Sequence, residues 1–397
     1  MKDKGGVLMP GVKVAVEPAV MQWVFQVARE QGTDEDTLDR IQSWISGEKA
    51  PTFHQLEELS RKTNIPFGYF FLRKVPAESC EIVDYRTIDS ISVVHPSRNL
   101  LDTVDAMSRV QQWMSEYNRN SGKLPCACVG SIRLCRDRNA AAERIRNTLE
   151  IKTDWFTGVR SADAAFKELR KRIMEPGILV MMNGVVGNNT HRKLSTNEFR
   201  AFTMIDPYAP LIFINAADSR NGRLFSLLHE LVHVMLGENS FYNDQYGASI
   251  QVGREEQFCN AVAAELLVPD KMFLEKWDET GGSTENKIAG LQECFVCSSI
   301  VLLRKALDCK RISKEEYGRL AAKYEKQFLG EAKKRMGESG GDFYKTLKSR
   351  WDQNFIKALG NSVESGRTQY REAYYMTNTT GKTFSVLTES IGGYEIG

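Results

Sequence analysis

His229-Glu230-Leu231-Val232-His233 reads H-E-x-x-H and lies inside the apolar stretch Leu224 to Leu236, which has helical character. At about 100° per residue, positions i and i+4 stand roughly 40° apart on one helical face. Both imidazoles then reach a single Zn²⁺ at Zn–N distances of about 2.0–2.1 Å. Glu230 lies on the adjoining edge, where it takes a proton from a metal-activated water. The chain has only five histidines in 397 residues, and two of them stand here. Asp218 or Ser219 is the expected N-cap of this helix and Gly237 its stop.

Upstream, three short apolar runs read as strands: Ile178 to Met182 after Pro176-Gly177, Phe199 to Ile205, and Leu211 to Ile214. Phe199 to Ile205 is the expected open edge to which a peptide adds as a strand. His191 and Tyr242 are the candidates for a second oxyanion donor. Further upstream, helices are expected over 99–120, 140–149 and 162–174.

A catalytic zinc usually has three protein ligands and one open position. The third is sought in Arg254 to Pro269, a strong helical pattern ended by a proline. Cys259, Asn260, Ala263 and Ala264 form a stripe of small side chains that lets a second helix lie close against the first. Glu256 stands at the head of that stripe and is the chosen ligand, with Glu255 as the fallback. Glu265 is nine residues on, about 180° round the helix, and cannot share the metal.

These residues resemble the ImmA/IrrE family of zinc metallopeptidases. The resemblance rests on Arg200-Ala-Phe-Thr-Met-Ile-Asp-Pro-Tyr-Ala-Pro, on the H-E-x-x-H helix, and on Glu256-x-x-Cys-Asn ending in Glu-Leu-Leu-Val-Pro269. It implies that His229, His233 and Glu256 bind zinc and that Glu230 is the catalytic base. The family usually has Gly or Ala where Val232 stands and Ala where Cys259 stands; both changes are conservative in size. The implied substrates are regulatory proteins of repressor or antitoxin type. The competing reading is a non-catalytic, zinc-stabilised regulator that binds a partner protein or DNA. Glu230 argues against it, since a purely structural site has no use for a carboxylate beside the metal.

Ile41-Gln-Ser-Trp-Ile-Ser-Gly-Glu-Lys-Ala-Pro-Thr52 resembles the middle of an Xre-type helix-turn-helix. Its DNA-facing part is acidic, with Asp34, Glu35, Asp36 and Asp39 and no basic residue from Thr33 to Asp39. Residues 21–72 carry eight acidic and five basic side chains, which would repel phosphates. The unit is read as degenerate, and DNA binding is disfavoured.

The expected fold class is α+β and mostly helical. A zincin-like core, with a small sheet of about three strands packed on the H-E-x-x-H helix and a second ligand helix, lies between helical N- and C-terminal regions. The expected domains are a degenerate helix-turn-helix-like unit at 1–75, a linker and helical region at 76–160, the metallopeptidase core at 161–275, and a helical region at 276–397. A net charge of +2 gives no global field toward nucleic acid or membrane. No apolar run approaches the roughly 20 residues of a bilayer span, and Met1 to Val20 makes a poor signal peptide. The chain is read as cytoplasmic. Its eight cysteines are scattered and read as free thiols, not as a zinc site or a disulfide scaffold.

Overall fold

Residues 12–76, 96–242, 253–335 and 343–392 are described by a computed structural model. They divide into two compact units, Met1–Cys80 and Glu81–Gly397. Residues 77–95, the start of the expected linker and helical region, lie outside the described residues.

In the first unit, helices α1 (Pro18–Glu30), α2 (Glu35–Ile45) and α3 (Phe53–Thr63) and a 3₁₀ turn (Phe67–Phe71) enclose one core. Val20, Val24, Ile41, Leu56, Leu59, Ile65 and Phe70 fill it. Asp34 caps α2 by accepting from the Thr37 N–H at 3.0 Å, and Glu35 and Asp36 stand in its first turn. The acidic run therefore complements the positive end of a helix dipole. Thr52 and Gln55 close a capping box at the start of α3.

The second unit opens with α4 (Arg98–Asn120), α5 (Arg138–Thr148) and α6 (Ala162–Met174). Its centre is a four-stranded sheet of β1 (Leu179–Asn183), β4 (Ala201–Met204), β5 (Leu211–Asn215) and β6 (Ser240–Tyr242), in the order β1-β5-β4-β6. β1 runs parallel to β5, and the other pairs are antiparallel. A separate hairpin joins β2 (Val185–Val186) to β3 (Asn189–Lys193). Two expectations change here. The sheet has four strands rather than about three, because the short Ser240-Phe-Tyr242 adds a further strand. Phe199 to Ile205 is not an edge, since β4 lies between β5 and β6.

Both faces of β4 and β5 are buried, which explains their continuous apolar runs. On one face Phe199, Phe202, Phe213 and Phe241 gather, with the Phe202 and Phe213 rings stacked at 4.9 Å. On the other, Ala201, Ile212 and Ile214 meet the core of α7 (Arg220–Leu236). Every residue of α7 from Leu224 to Leu236 is buried, each full leucine burial contributing about 1.5–3 kcal/mol. α7 is thus the central helix of the unit, covered by the sheet, by α6 and by α8 (Arg254–Leu267).

Both ends of α7 are fixed. Ser219 caps it by accepting from the Gly222 N–H at 3.0 Å. Gly237 stops it in the left-handed region at φ +79°, where a Cβ would come within 3.2 Å of Gly130 Cα. The loop around Gly130 donates to the last carbonyls: Gly130 N–H to Val234 at 3.2 Å and Ile132 N–H to Met235 at 2.8 Å.

The rest is helical: α9 (Asp270–Glu279), α10 (Thr284–Cys294), α11 (Ser299–Asp308), α12 (Lys314–Arg335), α13 (Phe343–Arg350), α14 (Gln353–Glu364), α15 (Tyr370–Thr377) and α16 (Gly381–Gly392). The fold is α+β and about 60% helical. Among the described residues no single helix is long and apolar enough to cross a membrane. The seven described cysteines are free.

Candidate metal centre

α7 presents His229, Glu230 and His233 to the interior, all three buried. α8 crosses it closely because Cys259 and Ala263 are small and buried. That approach brings the first turn of α8, with Glu256, over the two histidines. Glu255, the fallback ligand, is exposed on the same turn.

Three side chains converge. His229 Nε2 and His233 Nε2 are 3.1 Å apart. Glu256 Oε2 lies 3.2 Å from His229 Nε2, and its Oε1 lies 3.3 Å from His233 Nε2. A tetrahedral zinc with ligands at about 2.0–2.1 Å has ligand–ligand edges of about 3.3–3.4 Å, so each of the three separations is close to one edge of such a site. Two imidazoles and a carboxylate are also the donor set of a catalytic zinc. Among the described residues this is the group of histidine, cysteine and acidic side chains able to hold a metal ion. Burial would raise the Glu256 carboxyl. The hydrogen bonds and positive charge of His229 and His233 outweigh it and hold the carboxyl well below the usual carboxylate range.

Glu230 is fully buried. Its Oε2 accepts from Thr203 Oγ1 at 2.6 Å and from Ser240 Oγ. Thr203 on β4 and Ser240 on β6 are directly opposite in the antiparallel ladder, so their side chains leave the same face. Oε1 has no hydrogen-bond partner among the described residues. One oxygen of the carboxylate is thus anchored to the sheet, and the other remains available to accept a proton. Thr203 and Ser240 are absent from the sequence-derived site. The available signal was a hydroxyl in the otherwise apolar Ala-Phe-Thr-Met.

Of the two oxyanion candidates, Tyr242 is buried and its ring lies 4.0 Å from the His229 ring, centroid to centroid. His191 is exposed on the β2–β3 hairpin. Cys259 Sγ is 3.9 Å from His233 Nδ1. Burial pushes its thiol up despite the neighbouring histidine, so it behaves as a neutral packing group. Glu265 points the other way, into a buried ion cluster. Lys305 Nζ donates to its Oε2 at 2.7 Å, the Asp270 N–H donates to both its oxygens, and Lys305 also pairs with Asp270.

Residues 173–306 match the family model Peptidase_M78, described as an IrrE N-terminal-like domain. The chain carries an M78 peptidase domain. This matched region contains the sheet, α7 and α8, and with them all four site residues expected from the ImmA/IrrE resemblance. The match supports a metallopeptidase-type function in general. A second match, to a domain of unknown function (DUF8813), covers residues 351–390. Neither match covers the first unit. No curated protein and no solved structure matches the chain.

Proposed function

We propose that the M78 domain is a zinc-dependent endopeptidase that cleaves a regulatory protein of repressor or antitoxin type. The observation that carries this reading is the buried Glu230 carboxylate next to two imidazoles and a carboxylate at spacings close to those of zinc ligands. His229, His233 and Glu256 would hold the ion. Zinc in that position would polarise the scissile carbonyl and activate a water. Glu230 accepts the proton from that water at the oxygen left free by Thr203 and Ser240, then delivers it to the leaving amine. Tyr242, whose ring lies tilted against that of His229, supports the ligand ring.

A protein substrate of regulatory type is the family's implication carried to this chain. The acidic turn of α2 supports protein contact over DNA for the first unit. The test is a pair of proteins, the parent and Glu230→Gln, each loaded with zinc and offered candidate regulators. The expected result is equal zinc content and cleavage by the parent alone. Cleavage by Glu230→Gln at the parental rate would remove Glu230 as the base.

A further inference from the structure

A histidine that gives Nε2 to a metal carries its proton on Nδ1, and that N–H needs an acceptor to hold the ring in place. His229 Nε2 faces His233 Nε2 at 3.1 Å and Glu256 Oε2 at 3.2 Å. Its other nitrogen, Nδ1, is buried and has no hydrogen-bond partner among the described residues. Tyr242 lies tilted against the ring at 4.0 Å between centroids, and Phe225 stands at 6.4 Å. These contacts pack the ring and leave Nδ1 unpaired.

Glu256, Cys259, Asn260 and Ala263 follow the three- and four-residue spacing of one helical face. That face of α8 meets α7. Glu256 reaches both histidines, and Cys259, almost one turn on, is buried with its Sγ 3.9 Å from His233 Nδ1. Asn260 follows Cys259 and is half-buried. Its Oδ1 is buried and, like His229 Nδ1, has no hydrogen-bond partner among the described residues. Native proteins leave few buried polar atoms unpaired. Here two of them stand on the two helices that carry the expected metal ligands. One becomes a donor when Nε2 takes the metal, and the other is an acceptor. Close packing of the helices would be served by one more alanine, with no amide to satisfy.

We propose that Asn260 is a positioning residue for the metal centre: its Oδ1 accepts the Nδ1–H of His229 and keeps Nε2 turned toward Glu256 and His233. Cys259 and Asn260 then back the two histidines in turn, the first by packing and the second by a hydrogen bond. The amide oxygen selects the neutral imidazole with its proton on Nδ1, the form that leaves the Nε2 lone pair for a cation. Ser226 Oγ, three residues before His229 on α7, is the rival acceptor, since it too is buried and unpaired. A helical hydroxyl finds a partner in a carbonyl of the preceding turn of its own helix; the Asn260 oxygen, in a helix whose N–H groups are already bonded, has to look across to α7. The assignment rests on the metal site of the proposed function and does not involve Glu230.

The test compares the full-length parent with Asn260→Asp, Asn260→Leu and Ser226→Ala, each checked for folding by circular dichroism and thermal melting. Zinc affinity is read by competition with a chromophoric chelator. Loss of such an outer partner weakens metal binding by about 10- to 100-fold. That loss is expected in Asn260→Leu. Asn260→Asp keeps an acceptor and is expected to bind zinc at least as tightly as the parent, and Ser226→Ala to match the parent. The second readout is proton NMR of the zinc-loaded proteins with isotope-labelled histidine, of which the chain has only five. A slowly exchanging His229 Nδ1–H is expected in the parent and in Asn260→Asp, and not in Asn260→Leu. A parent that takes up no zinc overturns the site and this assignment together. With zinc bound by the parent, equal affinity in folded Asn260→Leu overturns the assignment alone, as does Asn260→Asp as weak as Asn260→Leu, or a weakened Ser226→Ala beside an unchanged Asn260→Leu. Should Asn260→Leu fail to fold, a zinc-loaded parent without a protected His229 Nδ1–H overturns it.

Discussion

Glu230 Oε2 lies 2.6 Å from Thr203 Oγ1, across the contact between α7 and the sheet. The Glu230 carboxylate is therefore held by the strand beside it as well as by its own helix. A hydrogen bond to a charged group is worth about 1.5–3 kcal/mol, which corresponds to roughly 10- to 100-fold in rate if it is realised in the transition state. Thr203→Val is expected to lower kcat by about that factor on any confirmed substrate, with KM and zinc content little changed. Thr203→Ser restores the hydroxyl and most of the rate. Steady-state kinetics on the three proteins checks it; a Thr203→Ser as slow as Thr203→Val would mean that the methyl, not the hydroxyl, matters.

Glu256 and Glu255 are neighbours with opposite fates, one within 3.3 Å of both histidines and one exposed. Glu256→Ala is expected to lose most bound metal on dialysis against a weak chelator, and Glu255→Ala to keep it. Metal analysis of the dialysed proteins decides this, and equal retention would return the third-ligand role to another residue.

Lys305 is almost fully buried against Glu265 and Asp270. Removing Lys305 leaves Glu265 with the more distant Arg146 at 3.9 Å and Asp270 with Arg138, so the cost is expected to stay below the roughly 3–5 kcal/mol of a fully broken buried pair. Lys305→Ala should show that loss in thermal or denaturant unfolding while the folded protein still binds metal, because the cluster faces away from His229 and His233. The cluster also sets a pH dependence. Burial would raise the Asp270 carboxyl, but the Lys305 hydrogen bond and charge outweigh it and hold it below its ordinary value. A depressed carboxyl contributes stability above its unfolded pKa of about 3.9 and loses it as pH falls through the lower folded value. The stability gap between the parent and Lys305→Ala should accordingly stay constant near neutral pH and narrow under acid.

Cys259 stands where an alanine would fit, and its raised thiol is buried beside His233. Cys259→Ala is expected to keep zinc within about twofold of the parent, an alanine filling most of the same small space. A large loss on titration with a competing chelator would instead make the sulfur a supporting partner of His233 Nδ1.

The H-E-x-x-H helix and its partner were legible because the proposed chemistry imposes the spacing. His229 and His233 must share a face, and a stripe of small residues on α8 marks where a second helix can lie close. The strands from Leu179 and Leu211 were legible from apolar runs bounded by turn residues. What the chain hides locally is pairing. Nothing near Phe199–Ile205 states that Ser240-Phe-Tyr242 will lie beside it, so β4 reads as an edge when it is internal. The hydroxyls of Thr203 and Ser240 are separated by the whole of α7, and only the ladder brings them to one oxygen.

Zinc held by His229, His233 and Glu256 with Glu230 beside it can be located by anomalous diffraction at the zinc edge, from crystals of the zinc-loaded Glu230→Gln protein. A single strong peak is expected about 2.0–2.2 Å from His229 Nε2, His233 Nε2 and a Glu256 carboxylate oxygen. A zinc peak elsewhere, or none between those three side chains, would contradict that placement.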